Sequence, residues 1–594
     1  MVAFDNKAST DCNRRDFLKV AGLGAAAITI SGMALVNNSS AKSTSSVNQY
    51  EVESDVLVIG GGYAGIMASI KAKEKGVTVT LAEKGTIFRS GLSPFAGGMA
   101  SFKSATQNEK ELLAASHQQG EYLHNLAYTK MWIKNSQAIT EELDSWGFFN
   151  GTARRSDILR NRVIQVGVNV LERTMITNLI KQGGRVVGAV GISMGEDKIV
   201  IIKAKAVVMC AGAGAFKTPG YFTNSLTSDG DAMAYRIGAE ITGKEFQDTH
   251  WTHPVDPAAS FDNWKDHVER SVGTIDAEAE GNLNLKMAIH IHTDGSPVRM
   301  GGGWESGPRG PQFGSKGKGG EKGGKKGGKK GGRKGTPPGV RSMDLPLAGG
   351  ASAGLSVHKG EGIFPADDKC ASNIPGLYAA GDALGSMMAG CVYSLGGGST
   401  SGSAVQGVVA GEAAAEYASN IKKPAIPKAK LEDLKTEIFA PREREKGYSP
   451  AWVTQVLQST MIPYYVLYVK KEDRLKAALT TVEFLRDHFG PKLLAKDPHE
   501  LRLAIETKNM ILNAEMKLRA SLFRTESRGN HYREDYPARD DDNWLAWVKL
   551  RDENNKMSLS KVPIPEEWRP DQTIPYEERY FRRYPGELEF LGKK

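Results

Sequence analysis

The chain has 594 residues, of which 40% are apolar and 24% are charged, and its formal net charge is +9. This length exceeds what one hydrophobic core usually supports, so we expect about two to four folded units. The composition excludes a globally disordered chain. The four cysteines include no C-x-x-C pair, which argues against covalent haem and against an iron–sulfur cluster held by this chain.

The amino terminus has the features of an export signal. Arg14 and Arg15 precede a Phe-Leu-Lys sequence and a moderately apolar stretch, which ends in small residues near Ala41. This order is typical of a bacterial twin-arginine signal with cleavage after Ala41, and it predicts a periplasmic protein. An uncleaved membrane anchor is the alternative, although glycine, serine and threonine interrupt the apolar stretch. Because this route exports folded proteins, we expect a cofactor bound before export.

The stretch DVLVIGGGYAGIMASI (55–70) predicts a buried strand, a glycine-rich turn and a helix. Gly60 is expected to make the tight turn, Gly62 to let a pyrophosphate approach the backbone, and Gly65 to let helix and strand pack closely. The amino end of the helix would stabilise the diphosphate charge. Glu83 follows the next predicted strand and is placed to accept hydrogen bonds from an adenosine ribose. The pattern predicts a Rossmann-like dinucleotide-binding domain.

Later segments favour FAD over NAD as the dinucleotide. The stretch 83–100 contains a Ser-Gly and a Gly-Gly pair, which suit a backbone running along a ribityl chain and a flavin ring. The stretch 203–216 reads as a further strand that ends in small residues, with Cys210 as a small buried side chain. The stretch 373–390 contains a strand that ends at Gly381-Asp382, where a carboxylate can meet a ribityl hydroxyl.

Residues 316–335 concentrate the positive charge of the chain. They contain eight Lys, one Arg and one Glu, so the remainder of the chain is close to neutral. A glycine-lysine repeat cannot bury apolar surface, and we expect a solvated, flexible loop. The alternative is an electrostatic docking site for an acidic partner protein or an anionic membrane. Nucleic acid is not an expected partner, because the excess charge is confined to this segment.

Three stretches resemble one family of flavoproteins: TSDGDAMAYRIGAE (227–240), GLYAAGDA (376–383) and RTESRGNHYREDYPARDDDNW (524–544). They are similar to the fumarate reductase and succinate dehydrogenase flavoprotein superfamily, which includes L-aspartate oxidase and the alpha subunit of adenylylsulfate reductase. The resemblance runs from about residue 50 to 550. It implies an α/β fold with an FAD domain in two segments, an inserted capping domain and a helical carboxy-terminal domain, with substrate held between cap and flavin.

The export-signal pattern and the resemblance together predict six segments along the chain. These are the export signal (1–41), the first segment of the FAD domain (50–245), the capping α+β domain (246–355), the second segment of the FAD domain (356–420), the helical domain (421–550) and a carboxy-terminal tail (551–594).

The motifs and the resemblance together predict the FAD-binding residues. These are Gly60, Gly62, Tyr63, Ala64, Gly65, Glu83, Lys84, Ser90, Gly91, Gly97, Gly98, Ala211, Gly212, Asp229, Gly381, Asp382, Ser399 and Thr400. The family's usual covalent flavin histidine is missing from the stretch 89–98. The FAD is therefore expected to be non-covalent.

The chain departs from succinate and fumarate enzymes at substrate-binding motifs. Leu345 and Leu347 stand in the nearest match to the family's His-x-Thr-x-Gly-Gly motif, and Ser394 stands where the family has an arginine. A guanidinium is the natural bidentate partner of a carboxylate, and its loss weighs against fumarate or succinate itself as substrate.

Two histidines are the predicted catalytic residues. SVHKGEGI (356–363) is similar to a stretch of the alpha subunit of adenylylsulfate reductase and places His358 at its substrate-facing histidine. His253 belongs to a His-Pro pair like that of succinate enzymes. A surface or structural role is the alternative for each. No metal site is expected, because His290 and His292 have no third ligand nearby in sequence.

The carboxy-terminal motif contains Arg524, Arg528, His531 and Arg533. We expect these side chains to form a buried ion network that docks the helical domain onto the FAD domain, in preference to a catalytic role. The apolar spacing of residues 499–524 predicts a core helix before this network.

The resemblance implies an FAD-dependent oxidoreductase that moves a hydride between flavin N5 and a small organic substrate. The expected reaction is reduction of the double bond of an unsaturated carboxylate in anaerobic respiration. A dehydrogenase working in the opposite direction, an adenylylsulfate reductase-like enzyme and a non-redox flavoprotein scaffold are the alternatives. A separate cytochrome or iron–sulfur protein would exchange electrons with the flavin.

Overall fold

The computed structural model describes residues 47–96, 98–217, 224–247, 359–392, 398–580 and 582–593. The predicted export signal, most of the predicted capping domain and the Lys/Gly segment 316–335 lie outside these residues. Among the residues that are described, no helix combines the length and apolar character needed to cross a membrane.

The strands are short except for those that build the centre of the main sheet and one hairpin. They are β1 (Asn48–Ile59), β2 (Val79–Ala82), β3 (Asn169–Leu171), β4 (Thr174–Gln182), β5 (Arg185–Ser193), β6 (Lys198–Met209), β7 (Ile241–Thr242), β8 (Gly362–Ile363), β9 (Leu377–Ala379), β10 (Val469–Lys470), β11 (Tyr532–Arg533), β12 (Ala546–Glu553) and β13 (Lys556–Pro563).

The helices are concentrated in the second half of the described chain. They are α1 (Tyr63–Glu74), α2 (Glu109–Gln119), α3 (Leu126–Ser145), α4 (Arg155–Gln165), α5 (Asp229–Arg236), α6 (Gly398–Ser419), α7 (Lys428–Glu443), α8 (Pro450–Met461), α9 (Tyr464–Leu467), α10 (Glu472–Phe484), α11 (Pro498–Phe523), α12 (Asp541–Trp544), α13 (Tyr576–Arg579) and α14 (Glu587–Phe590).

The main sheet has the strand order β3-β2-β1-β6-β5-β4, and β9 also pairs with β6. The pairs β1–β2, β1–β6, β2–β3 and β6–β9 are parallel, whereas β4, β5 and β6 form an antiparallel meander. The last residues of β1, β6 and β9 lie side by side, since Ile59 pairs with Met209 and Met209 with Ala379. The carboxyl ends of strands from two distant chain segments therefore meet at one edge, where α/β proteins bind ligands.

Helices α1 and α6 pack closely on each other beside the parallel strands. A Cβ atom at Gly407 would lie 2.2 Å from the carbonyl oxygen of Ala64, and one at Gly411 would lie 2.3 Å from that of Ala68. Most of α1 is buried, because the sheet covers one side and α6 another. This contact joins the two segments that were predicted to form the FAD domain, and the sheet with its flanking helices confirms the predicted α/β architecture.

A second, four-stranded sheet of order β13-β12-β7-β8 joins three separate regions of the chain. Leu550 of β12 pairs with Ile241 of β7, which pairs with Ile363 of β8. The domain boundary predicted at 550/551 falls inside β12, whose hairpin with β13 runs across it. The segment after residue 550 therefore begins within a sheet.

The helical domain has its own apolar core, made chiefly by α8, α10 and α11. Helix α11 begins at an aspartate cap, because the Asp497 side chain accepts from the Glu500 N–H at 2.8 Å. Its range matches the core helix predicted from apolar spacing. It is the longest helix of the described chain and reaches from the helical core to the main sheet.

Candidate functional site

The turn between β1 and α1 is built by glycines that a larger residue would disrupt. Gly60 has a φ of +105°, and a Cβ there would lie 2.2 Å from the carbonyl oxygen of Cys210. A Cβ at Gly65 would lie 1.8 Å from the carbonyl oxygen of Gly60. The turn and the first turn of α1 are thus held against the end of β6. This geometry leaves the amino end of α1 facing a cavity.

Glu83 lies at the end of β2 and is nearly fully buried. One carboxylate oxygen accepts from the Gly61 N–H at 2.6 Å, and the other accepts from the Gly85 N–H at 2.7 Å. Burial raises the pKa of Glu83, and these two N–H donors oppose the rise. A carboxylate can accept about four hydrogen bonds, so Glu83 keeps capacity for a ribose hydroxyl while it holds the turn.

A cluster of charged side chains lies next to Glu83. The ammonium of Lys84 contacts Asp229 at 2.7 Å and Glu506 at 2.9 Å. Glu506 is fully buried on α11 and also pairs with Lys217 and Arg502. Burial alone would raise the pKa of Glu506, but Lys84 and Lys217 lower it to about 2. The side chain is therefore ionised at neutral pH, and the helical domain is tied to this end of the cavity by charge.

Asn509 makes a second contact between α11 and the cavity wall. Its side-chain N–H donates to Asp229 at 2.7 Å, and its carbonyl oxygen accepts from Arg236 at 2.7 Å. The amide thus connects two residues of α5. Neither Glu506 nor Asn509 was predicted from the sequence, because polar residues inside a helix do not indicate which surface they will meet.

Another part of the cavity wall is formed by residues after the strand β9. Gly381 has a φ of +71°, and Asp382 follows it. The ammonium of Lys359 lies 2.6 Å from the Asp382 carboxylate and donates to the Ser403 hydroxyl at 2.7 Å. Sequence reasoning missed Lys359 and Ser403. Lys359 does follow His358 directly, but its sequence context does not reveal a buried ion pair.

These features surround one cavity, whose empty volume of about 930 Å³ includes space open to solvent. Thirteen of the predicted FAD-binding residues line it: Gly60, Gly62, Tyr63, Ala64, Glu83, Lys84, Ser90, Gly91, Ala211, Gly212, Asp229, Gly381 and Asp382. The cavity brings together a carboxylate, a helix amino end and small residues, which are the groups that hold a dinucleotide such as FAD.

The other predicted site residues are placed differently. Gly65 packs beneath the turn, and Gly98, Ser399 and Thr400 are not among the lining residues. Gly97, His253 and His358 lie outside the described residues, as do His290, His292 and Ser394. The catalytic roles of His253 and His358 stay predictions.

Lining residues that the sequence did not single out include several from strands and loops. They are Ile59, Ala82, Leu92, Ser93, Thr174, Met175, Ile176, Ala213, Ser225, Leu226, Thr227, Met233, Ala380 and Ser403. Cys210 was predicted as a small buried residue, and it is buried with its thiol free. Thr174, Met175 and Ile176 begin β4. They reach the cavity because β4 joins the main sheet through its antiparallel pairing with β5.

The arginine-rich motif forms a buried ion network. Arg524 pairs with Glu245 at 3.0 Å and with Glu526 at 2.7 Å, and Arg528 pairs with Glu526 and Asp541 at 2.8 Å each. His531 is fully buried, and burial keeps its pKa well below the usual value, so this imidazole is neutral. The network joins the loop after β7 to the carboxy-terminal segments.

The fold and the cavity define an FAD-dependent oxidoreductase, and comparisons with known proteins agree. A family model described as "FAD binding domain" matches residues 55–157 and 153–260, and one described as "Fumarate reductase flavoprotein C-term" matches 454–580. The chain belongs to the fumarate reductase and succinate dehydrogenase flavoprotein superfamily, as its motifs indicate.

Two curated relatives are similar over most of the chain. A fumarate reductase (CoM/CoB) subunit of Methanothermobacter marburgensis is 24% identical over 538 residues, which is 82% of this chain and 95% of the relative. The fumarate reductase flavoprotein subunit of Mycobacterium tuberculosis is also 24% identical, over 88% of this chain and 99% of its own. Solved structures with the same fold include two reductases. Adenylylsulfate reductase of Archaeoglobus fulgidus has a TM-score of 0.67 and 20% sequence identity, and the match covers 90% of this chain and 98% of that one. E. coli quinol fumarate reductase FrdA has a TM-score of 0.68 and 17% identity, and the match covers 89% of this chain and 99% of that one.

Proposed function

We propose that this enzyme reduces the carbon–carbon double bond of a small unsaturated carboxylate. The observation that carries the proposal is the extent of the similarity to curated fumarate reductase subunits, which spans 82% and 88% of this chain. The FAD cavity supplies the second support, because bound flavin provides a hydride donor at N5. The residues of the chain bind and orient the flavin, and the substrate would lie on its exposed side.

The absence of an arginine at Ser394 guides the choice of substrate class. A dicarboxylate needs a cationic partner for each carboxylate, whereas a monocarboxylate needs only one. An unsaturated carboxylate other than fumarate therefore fits the sequence better than fumarate itself. A separate electron-transfer protein would supply the electrons, in keeping with the names of both relatives, which describe them as subunits. The twin-arginine pattern supports a periplasmic location for this reaction.

Anaerobic reoxidation of the reduced flavin tests the proposal. The holoenzyme is reduced with dithionite or a reduced viologen and mixed with a panel of unsaturated mono- and dicarboxylates, while flavin absorbance is followed. We expect at least one unsaturated carboxylate to reoxidise the flavin rapidly, with the saturated acid as product. A flavin that resists reduction, or that no acceptor reoxidises, would contradict an enzymatic role and favour a scaffold.

A second candidate function is the reduction of adenylylsulfate, which the stretch SVHKGEGI around His358 favours. Adenylylsulfate is therefore included in the panel, and rapid reoxidation by it alone would replace the first proposal. A dehydrogenase is tested in the opposite direction, by adding saturated acids to the oxidised enzyme with an artificial electron acceptor.

The same reoxidation assay tests the predicted catalytic role of His358. In His358→Asn, we expect normal FAD content and normal reduction by dithionite, with reoxidation by the substrate slowed roughly 10²–10⁴-fold, because a positioned acid contributes about that factor. His499→Asn is the control, since this histidine is exposed at the start of α11. An unchanged reoxidation rate across pH in His358→Asn would move the search for the proton donor to His253.

A further inference from the structure

Lys359 is a fully buried lysine that contacts two residues of the wall of the FAD cavity. Its ammonium lies 2.6 Å from the Asp382 carboxylate and donates to the Ser403 hydroxyl at 2.7 Å, and both partners line the cavity. The side chain of Lys359 is 0% exposed, whereas that of Asp382 is 16% exposed. The charged head group therefore lies behind the carboxylate, between the cavity and the protein interior.

The backbone of Lys359 is held in place as firmly as its side chain. Its φ is +84°, a left-handed conformation that residues other than glycine seldom adopt. Its carbonyl oxygen accepts from the Met387 N–H at 2.6 Å. Surrounding contacts thus impose a backbone conformation that lysine does not favour, and strained residues of this kind concentrate at functional sites.

The ammonium also lies beside the first turns of α6. The Ser403 hydroxyl that accepts from it donates in turn to the Ser399 carbonyl oxygen at 2.9 Å, and α6 begins at Gly398. A helix amino end carries partial positive charge, so a lysine there is electrostatically unfavourable unless anionic groups compensate for it. Asp382 supplies one such group, and a negatively charged ligand in the cavity would supply another.

We propose that Lys359, through its pair with Asp382, is a positioning residue that sets the reduction potential of the bound flavin. Two-electron reduction adds two electrons and one proton to FAD, and the product carries an additional negative charge. The buried ammonium stabilises that charge, while the Asp382 carboxylate destabilises it. The inference rests on FAD binding in this cavity and not on the identity of the substrate.

The two charges predict shifts of opposite sign in the flavin potential. In Lys359→Gln, the potential becomes more negative, because the stabilising cation is lost. In Asp382→Asn, the potential becomes more positive, because the cation is no longer neutralised. At the effective dielectric constant of about 20 that applies to buried sites, we expect one nearby charge to change the equilibrium constant by about tenfold. For a two-electron couple, this change corresponds to about 30 mV.

The experiment measures the midpoint potential of purified holoenzyme against reference dyes, with no substrate present. Lys359→Arg keeps the charge and is expected to stay near the wild-type potential. Lys423→Gln removes one lysine charge at an exposed position and controls for the change in net charge, which solvent screens there. Because no acceptor is used, a failure here leaves the proposed function standing.

Flavin content and thermal stability are measured alongside the potential. If Lys359→Gln loses FAD, the proposal is tested by the direction of the potential change in Asp382→Asn. A more positive flavin potential supports the proposal, and an unchanged or more negative potential overturns it. If Lys359→Gln keeps FAD at the wild-type potential, Lys359 serves only to hold the fold, and the proposal is wrong.

Discussion

Gly62 precedes α1 in extended backbone and faces the cavity, so it is the glycine at which a side chain would meet the cofactor. A Cβ there would lie 2.8 Å from the Ser93 hydroxyl oxygen, which accepts from the Tyr63 N–H. The backbone itself is not in the left-handed region. A substitution therefore tests cofactor binding with little direct strain on the main chain.

In Gly62→Val, we expect FAD content after purification to fall to a small fraction of the wild-type value. The branched side chain displaces Ser93 and occupies the path of the pyrophosphate, and overpacking of this kind typically costs about 1–3 kcal/mol. The ratio of flavin to protein absorbance measures the effect. Gly195→Val is the matched control at an exposed bend that does not line the cavity. Normal flavin content in Gly62→Val would refute the nucleotide assignment.

The glycines and Lys359 show what sequence can and cannot predict at single positions. The spacing of Gly60, Gly62 and Gly65 predicts a turn because the constraint is local: a strand, a tight turn and a helix follow one another directly. Lys359 and Ser403 meet only after two distant segments pack together. Lysine in a sequence usually indicates a solvated surface, and here tertiary packing overrides that expectation.

At the scale of elements, α11 links the helical domain to the cofactor cavity. Its apolar spacing predicts a core helix, which the structure contains. The same helix carries Glu506 and Asn509, which hold Lys84 and Asp229 at the cavity wall. The apolar periodicity of α11 alone indicates a core helix and does not indicate its contacts with the cavity wall.

In Asn509→Ala, we expect FAD affinity to fall roughly tenfold, with the helical fold retained. Asp229 loses a donor and Arg236 loses an acceptor, and hydrogen bonds to charged groups contribute about 1.5–3 kcal/mol each. Titration of the apoprotein with FAD, followed by fluorescence, measures the dissociation constant. Asn420→Ala makes the same change at an exposed helix end. Equal FAD affinity in both variants would show that the hydrogen bonds of Asn509 do not support the cavity.

At the scale of the whole molecule, the carboxy-terminal segment is anchored on Glu121. This carboxylate is buried between α2 and α3 and pairs with Arg539 at 2.8 Å and Arg582 at 3.3 Å. Burial alone would raise the pKa of Glu121, but the guanidinium groups lower it to about 2. The chain after β13 is therefore joined to the first helices, rather than forming a separate tail.

The depressed pKa of Glu121 predicts sensitivity to acid. Its folded-state pKa of about 2 lies below the ordinary value of 4.5, so its stabilisation is present above pH 4.5 and is lost as the pH falls towards 2. In Glu121→Gln, we expect a smaller loss of stability over this interval and, at neutral pH, a free energy of unfolding lower by about 3–5 kcal/mol.

Urea unfolding at several pH values measures both effects. Glu553→Gln is the control, because Glu553 lies at the exposed end of β12. If Glu121→Gln follows the wild-type pH profile, the ion pairs of Glu121 do not govern acid unfolding.

Deleting residues 316–335 tests whether this charged segment docks a partner. We expect turnover driven by an acidic electron-transfer protein to fall roughly tenfold at low ionic strength, because electrostatic steering raises association rates by about that factor or more. Turnover with a small artificial donor should not change. A variant with every lysine of the segment replaced by glutamine keeps its length and should behave like the deletion. Equal loss with both donors would indicate a folding role.

The main cavity is shared by segments that lie far apart in the sequence, and this has a consequence for biosynthesis. Glu83 and Asp229 are translated early, Asp382 and Ser403 much later, and Asn509 later still. At about 5–20 residues per second, the ribosome needs on the order of tens of seconds between the first and last of these residues. A nascent chain would offer FAD only part of its binding cavity during that time. FAD is therefore expected to bind only after nearly the whole polypeptide has been synthesised.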